Sequence, residues 1–176
     1  RGRLAFVARR QVHVLVTGPS GSGKELVARA LHGLSDRGRR GIVSRSAATI
    51  PESLADAELF GNLRGYPNPG MPARPGLIGE ADGSTLFLDE FGELPEPIQA
   101  RLLRVADDGE YTPLGEARPK RVDLRLIAAT NRDPSVLKHD LLARFKIHVA
   151  VPSLQQRVDD IPLLAPPLLR QIAAAD

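Results

Sequence analysis

The chain has 176 residues, with 24 Lys plus Arg against 21 Asp plus Glu, 42% hydrophobic and 4% aromatic residues, a composition that fits one globular domain and excludes disordered and fibrous chains. No apolar run approaches the roughly 18 residues of a membrane span and no secretory leader opens the chain, so the expectation is a cytoplasmic protein with no membrane partner. Zero cysteines exclude disulfides, thiolate metal sites and cysteine nucleophiles, and the four His lie singly, which argues against a zinc cluster.

In chain order, residues 1–45 come first and hold ten basic and two acidic side chains, against fourteen and nineteen in the rest, the pattern of an Arg-rich solvated face. Short apolar runs then alternate with helix-like segments, as in α/β domains with parallel sheets. A strand is expected over 12–16, then a helix over 24–34, where Leu26, Val27, Ala30 and Leu31 fall at helical spacing. A strand over 42–46 and a helix over 51–60 follow. The stretch 65–76, GYPNPGMPARPG, is so dense in proline and glycine that it must be a loop. A strand over 85–88 precedes a helix over 95–106, whose Ile98, Leu102 and Val105 form one stripe and whose prolines lie near its start. Strands over 124–129 and 147–151 complete a five-stranded, mostly parallel sheet. Asp160 is placed to cap a last helix from Ile161, which Pro166 and Pro167 should bend. Because the chain stops at Asp176 just after this helix starts, a fragment of a longer protein is expected.

The first strand runs into Gly18-Pro19-Ser20-Gly21-Ser22-Gly23-Lys24 and then a helix, the context a phosphate-binding loop requires. Glycines let successive N–H groups turn toward phosphate oxygens, the helix presents its positive end to the same charge, and Lys24 reaches the β- and γ-phosphates. Glu25 stands where a Ser or Thr hydroxyl usually binds Mg²⁺, so a metal ligand must come from elsewhere. Leu86-Phe87-Leu88-Asp89-Glu90 offers one: an apolar strand ending in two carboxylates, at the edge where ligands of open α/β sheets bind. Asp89 is expected to hold Mg²⁺, directly or through water. Glu90 is the expected general base for the attacking water, a role worth about 10²–10⁴ in rate. Taken alone the pair is an ordinary solvated strand end; the upstream loop gives it a function. Asn131, after Ala128-Ala129-Thr130, is placed to bond the γ-phosphate or the attacking water, though by itself a turn Asn reads equally well. No acceptor-substrate or guanine-recognition motif accompanies these blocks, which disfavours a P-loop kinase or GTPase.

In order and spacing, GPSGSGKELVARALH, PESLADAELFG, GSTLFLDEFGELP, QARLLRVADDGEYTPLG, VDLRLIAATNRD and DDIPLLA resemble successive blocks of one family. It is the AAA+ ATPase (sigma-54 interaction) domain of bacterial enhancer-binding proteins, NtrC-like transcriptional activators that remodel sigma-54 RNA polymerase. Lys24-Glu25 is itself how this family's phosphate loop commonly ends, and the resemblance covers nearly the whole chain. It implies a P-loop AAA+ α/β subdomain over residues 1–152 and the beginning of a helical lid over 153–176. ATP and Mg²⁺ would be held by Gly18, Pro19, Ser20, Gly21, Ser22, Gly23, Lys24, Glu25 and Asp89, and hydrolysis would involve Lys24, Asp89, Glu90 and Asn131. Further implications are self-assembly into a hexameric or heptameric ring, contact with RNA polymerase through the sigma factor, and DNA contact only through a domain outside this chain. The family's second sensor arginine would lie beyond Asp176.

Three positions depart from the family's pattern. Members commonly carry Asn at the position aligned with Ser46, where it holds the catalytic glutamate inactive until the target engages; the shorter serine is not expected to carry that latch over. Two family arginines reach the nucleotide of the neighbouring subunit, and here Lys138 stands at the first and Arg144 at the second. Lysine lacks the planar fork, so Arg144 is the expected catalytic finger. The GAFTGA loop that contacts sigma-54 is replaced by Gly65-Tyr66-Pro67-Asn68-Pro69-Gly70. Two functions follow: an ATP-hydrolysing ring module coupled to transcription, or a nucleotide-responsive regulatory or oligomerisation module that has lost sigma-54 remodelling and efficient hydrolysis.

Overall fold

The computed structural model describes residues 2–164 and Pro166. Its strands are β1 (His13–Thr17), β2 (Val43–Ser46), β3 (Thr85–Asp89), β4 (Glu110–Tyr111), β5 (Lys120–Arg121), β6 (Arg125–Thr130) and β7 (Phe145–Ala150). Its α-helices are α1 (Gly2–Ala8), α2 (Lys24–Gly33), α3 (Ala55–Phe60), α4 (Gly76–Glu80), α5 (Glu96–Asp108) and α6 (His139–Leu142). Five strands form one sheet in the order β2-β3-β6-β1-β7, every neighbouring pair parallel. The expected α/β class holds.

A parallel sheet needs apolar cover on both faces, and the period of two along each strand divides its side chains between them. Leu15, Leu86, Leu88, Leu126 and Ala128 enter one buried cluster with Leu59 and Phe60 of α3, Ile78 of α4 and Leu102 of α5. Val14, Val16, Phe87, Ile127 and Ala129 enter the other, with Ala8 of α1 and Ala28 and Leu31 of α2. The parallel pairing of every neighbouring pair places the strands' carboxyl ends along a single edge, where the chain turns into loops.

All five expected strands form, with ends displaced by at most two residues. Val12, expected to open the first strand, stays outside it and gives its carbonyl to Arg125 Nε (3.2 Å). The helix expected over 51–60 splits: Leu54 N–H bonds to Pro51 O (2.9 Å), making a 3₁₀ turn over Glu52–Leu54 before α3 begins. The helix expected over 95–106 is α5, which stops where Gly109 takes a left-handed φ of 65° and donates to Val105 O (3.1 Å). A Cβ at Gly109 would lie 2.6 Å from Val122 O, so no other residue fits that turn without movement.

The 65–76 stretch is irregular until Gly76, which opens α4. A helical run does begin at Ile161, as expected, directly behind a 3₁₀ segment. The chain enters that segment at Ser153, whose N–H donates to Gln156 Oε1 (3.0 Å), and 3₁₀ turns run over Leu154–Asp160 with a kink at Arg157 (φ −143°, ψ 48°). The expected bend at Pro166 and Pro167, and the lid onward to Asp176, fall largely outside the described residues. Among the described residues, no helix is long and apolar enough to cross a membrane.

Candidate nucleotide site

The loop between β1 and α2 is fixed by close backbone approach. Gly18 N–H donates to Thr130 O at the end of β6 (3.2 Å), and a Cβ on Gly18 would lie 2.4 Å from Val151 O. Gly23 sits at the N-cap of α2 in the left-handed region (φ 90°), and α2 has no side-chain cap. The first-turn N–H groups of this ten-residue helix therefore face the loop with a partial positive charge. Lys24 is 7% exposed, and its Nζ donates to Gly18 O (3.0 Å) and Pro19 O (3.1 Å). Of three ammonium donors, two are thus satisfied by the loop itself. Among the described residues, the buried Ser22 Oγ has no hydrogen-bond partner.

The other strand ends converge on this edge. Asn131, directly after β6, donates from Nδ2 to Ser20 Oγ (3.0 Å) and so touches the loop. Asp89 closes β3, with Oδ1 accepting from Glu90 N–H (2.9 Å). Glu90 is the non-glycine residue with positive φ (51°) among those described, a conformation that strains an L residue and concentrates at functional sites. Ser46 is the register partner of Asp89 and donates from Oγ to Glu90 Oε2 (3.1 Å). The expectation that Ser46 is too short to hold this glutamate is therefore corrected: parallel pairing of β2 and β3 brings the hydroxyl within reach. Glu25 turns elsewhere, its Oε1 accepting from Arg29 Nε (2.9 Å) and Nη2 (2.8 Å) in an exposed pair.

Arg144 lies at the opposite edge, just before the first residue of β7, in an ion pair with Asp107. The six residues of β7 at about 3.3 Å each, roughly 20 Å, separate it from the loop end of the sheet. It does not join the constellation in its own chain. Lys138 is likewise paired outward, with Glu96 (3.6 Å).

Two further features were not evident from sequence. Arg157 Nη2 donates to Ser22 O of the loop, a contact made by the kinked segment after β7 and carried by no motif. An apolar cleft of about 500 Å³ opens beside the loop, lined by Leu4, Leu26, Val27, Ala30, Leu154 and Leu164, within the range of small-molecule sites. At the rim of the sheet, Asn62 is 3% exposed and its Nδ2 faces three carbonyls, of Leu63 (2.8 Å), Tyr66 (3.2 Å) and Pro72 (3.0 Å). Gly65 N–H adds a bond to Met71 O (2.8 Å), so the proline-rich loop is closed on itself.

A family model described as "Sigma-54 interaction domain" matches residues 2–149. The transcriptional regulatory protein GlrR of Escherichia coli (strain K12) is 41% identical over 175 residues, covering 96% of this chain and 39% of that protein. The DNA-binding transcriptional regulator NtrC of Klebsiella pneumoniae is 42% identical over 182 residues, covering 99% of this chain and 38% of that protein. Crystal structures of NtrX from Brucella abortus align with TM-scores of 0.87 for the ADP complex, at 35% identity, and 0.86 for the ATP complex, at 36%. Each covers 98% of this chain, and this chain spans 39% and 40% of the two NtrX chains. The chain thus spans about two fifths of the relatives it matches. With the family model matching most of its length, the chain belongs to the sigma-54 interaction domain family of bacterial transcription regulators.

Proposed function

We propose that this chain is the ATP-binding and ATP-hydrolysing AAA+ module of a cytoplasmic bacterial transcription regulator, with a nucleotide-binding subdomain over residues 1–152 and the start of a lid over 153–176. The observation that carries this reading is the hydrogen bond from Asn131 to Ser20, which ties the end of β6 to the phosphate loop on the edge where β3 delivers Asp89 and Glu90. Ser20, Gly21 and Gly23 turn main-chain N–H groups to the triphosphate, while Gly18, Pro19 and Ser22 shape the loop: Pro19 has no N–H, and the N–H groups of Gly18 and Ser22 donate to Thr130 O and Pro19 O. Ser22 Oγ, buried without a partner, supplies a waiting donor, and Lys24 exchanges loop carbonyls for phosphate oxygens. Glu25 contributes main chain rather than carboxylate, since its side chain is paired with Arg29. The cleft beside the loop takes the base.

The acidic set fits Mg²⁺ held mostly by phosphates and water, because among the described residues no group of three or more His, Asp or Glu could cage a metal by itself. Asp89 would be its carboxylate ligand, and Mg²⁺ would neutralise charge on the transferring phosphoryl group. Glu90 accepts the proton of the attacking water, once released from Ser46, and Asn131 orients that water or the γ-phosphate. Arg144 acts on the nucleotide of a neighbouring copy in a ring, a role typically worth about 10³–10⁵ in rate. The test is calorimetry on Lys24→Ala, which should abolish measurable ATP affinity; unchanged affinity would remove the loop from the site.

A second reading concerns the output. The Asn62 bonds close the loop 63–72 on itself, which favours a regulator whose contact with sigma-54 polymerase differs from that of its relatives. DNA contact belongs to a domain outside this chain.

A further inference from the structure

The guanidinium of Arg144 is held by its own chain. Nε donates to Asp107 Oδ1 and Nη2 to Asp107 Oδ2 (3.0 Å), the bidentate match of planar fork to carboxylate that fixes orientation as well as charge. Asp107 stands on the last turn of α5, whose end is pinned by Gly109 against Val105. Asp140 of α6 and Asp108 also act on Arg144 electrostatically. The cation that a neighbouring subunit's phosphates would meet is therefore already paired with a carboxylate of its own chain. The two side chains are 39% and 29% exposed, so an anion arriving from solvent can compete for the same donors.

We propose that Asp107 is a positioning residue that acts through Arg144, holding it in a charge-compensated resting state that a neighbouring subunit's triphosphate must displace. This rests on the reading of Arg144 as a finger acting in trans. Phosphate oxygens and the Asp107 carboxylate compete for one edge of the guanidinium, Nε–H and Nη2–H. At close range the triphosphate carries the greater charge and wins. Before contact, the Asp107 carboxylate opposes the encounter, so dilute subunits stay inactive and turnover sets in only when assembly is favourable.

The test measures ATP turnover per subunit against protein concentration for the wild-type chain, Asp107→Asn, Asp107→Glu and Arg144→Ala. Asparagine keeps the shape and one acceptor oxygen but removes the charge. Half-maximal turnover should come at about two- to fivefold lower protein concentration in Asp107→Asn, the range a partly exposed pair supports, with ATP affinity of the dilute subunit unchanged. Asp107→Glu should stay near wild type. An unmoved or raised half-maximal concentration in Asp107→Asn overturns the proposal, and if that variant does not fold, Asp107→Ser serves under the same criterion. Wild-type turnover in Arg144→Ala overturns the finger reading and the proposal together. Inactive Arg144→Ala beside an unmoved Asp107→Asn overturns the role of Asp107 alone.

Discussion

Glu90 is held at both ends of its own chemistry: its backbone sits in a strained left-handed conformation after Asp89, and its carboxylate is engaged by Ser46. The proposed role of Glu90 as the base that takes a proton from water would be removed in Glu90→Gln, whose amide cannot accept that proton. ATP affinity should be kept while hydrolysis slows by roughly 10² or more. Wild-type turnover in this variant, measured under saturating ATP, would move the base elsewhere. At this scale the sequence was informative about residue types and poor about reach. Lys24, Asp89, Glu90 and Asn131 were legible because glycine spacing and strand ends announce them. The reach of Ser46 depends on the register between β2 and β3, which no local pattern encodes, and Arg157 meets the loop across 135 positions of chain.

At the scale of elements, β1, β6 and α5 meet at His13. Leu126 N–H donates to His13 Nδ1 (3.0 Å), so the proton sits on Nε2, which donates to Ala106 O of α5 (3.1 Å). Burial lowers the His13 pKa from its ordinary 6.5; the bond to Ala106 raises it, Arg125 and Arg37 lower it further, and Asp107 opposes them. A base whose folded pKa is depressed binds fewer protons folded than unfolded. Stability is therefore complete above about pH 6.5 and is lost as pH falls below that value toward the folded pKa. The thermal midpoint should drop between pH 7.5 and pH 5.5 by more in the wild-type chain than in His13→Gln; equal drops would show that His13 is not the titrating group. Arg125 shows why such junctions escape sequence reading. It lies within a run read as an apolar strand, yet it is 2% exposed and donates to Ala8 O (2.9 Å), Val7 O (3.0 Å) and Val12 O (3.2 Å). Those acceptors tie α1, a helix too short to be announced by periodicity, to the sheet. The two-residue strands β4 and β5, and α4 directly behind Pro75, were similarly below the length at which a pattern can be counted.

At the scale of the whole molecule, the proposed nucleotide site on one edge of the sheet would reach a partner through loops at its rim. The loop Gly65-Tyr66-Pro67-Asn68-Pro69-Gly70 is closed through Asn62, and Tyr66 packs so near Gly115 that a Cβ there would lie 2.8 Å from the ring. Pro67 and Pro69 further restrict its backbone. Binding to purified sigma-54 in the presence of a transition-state ATP analogue should be absent for the native chain and gained when residues 65–70 are replaced by Gly-Ala-Phe-Thr-Gly-Ala. Stable nucleotide-dependent binding by the native loop would contradict this. The central claim, that the chain hydrolyses ATP as an assembly in which one subunit completes the site of the next, is tested most directly by steady-state ATP turnover per subunit over a wide range of protein concentration. Turnover should rise with concentration and level off as assembly saturates. ATP binding without turnover at every concentration, or turnover per subunit independent of concentration, would contradict it.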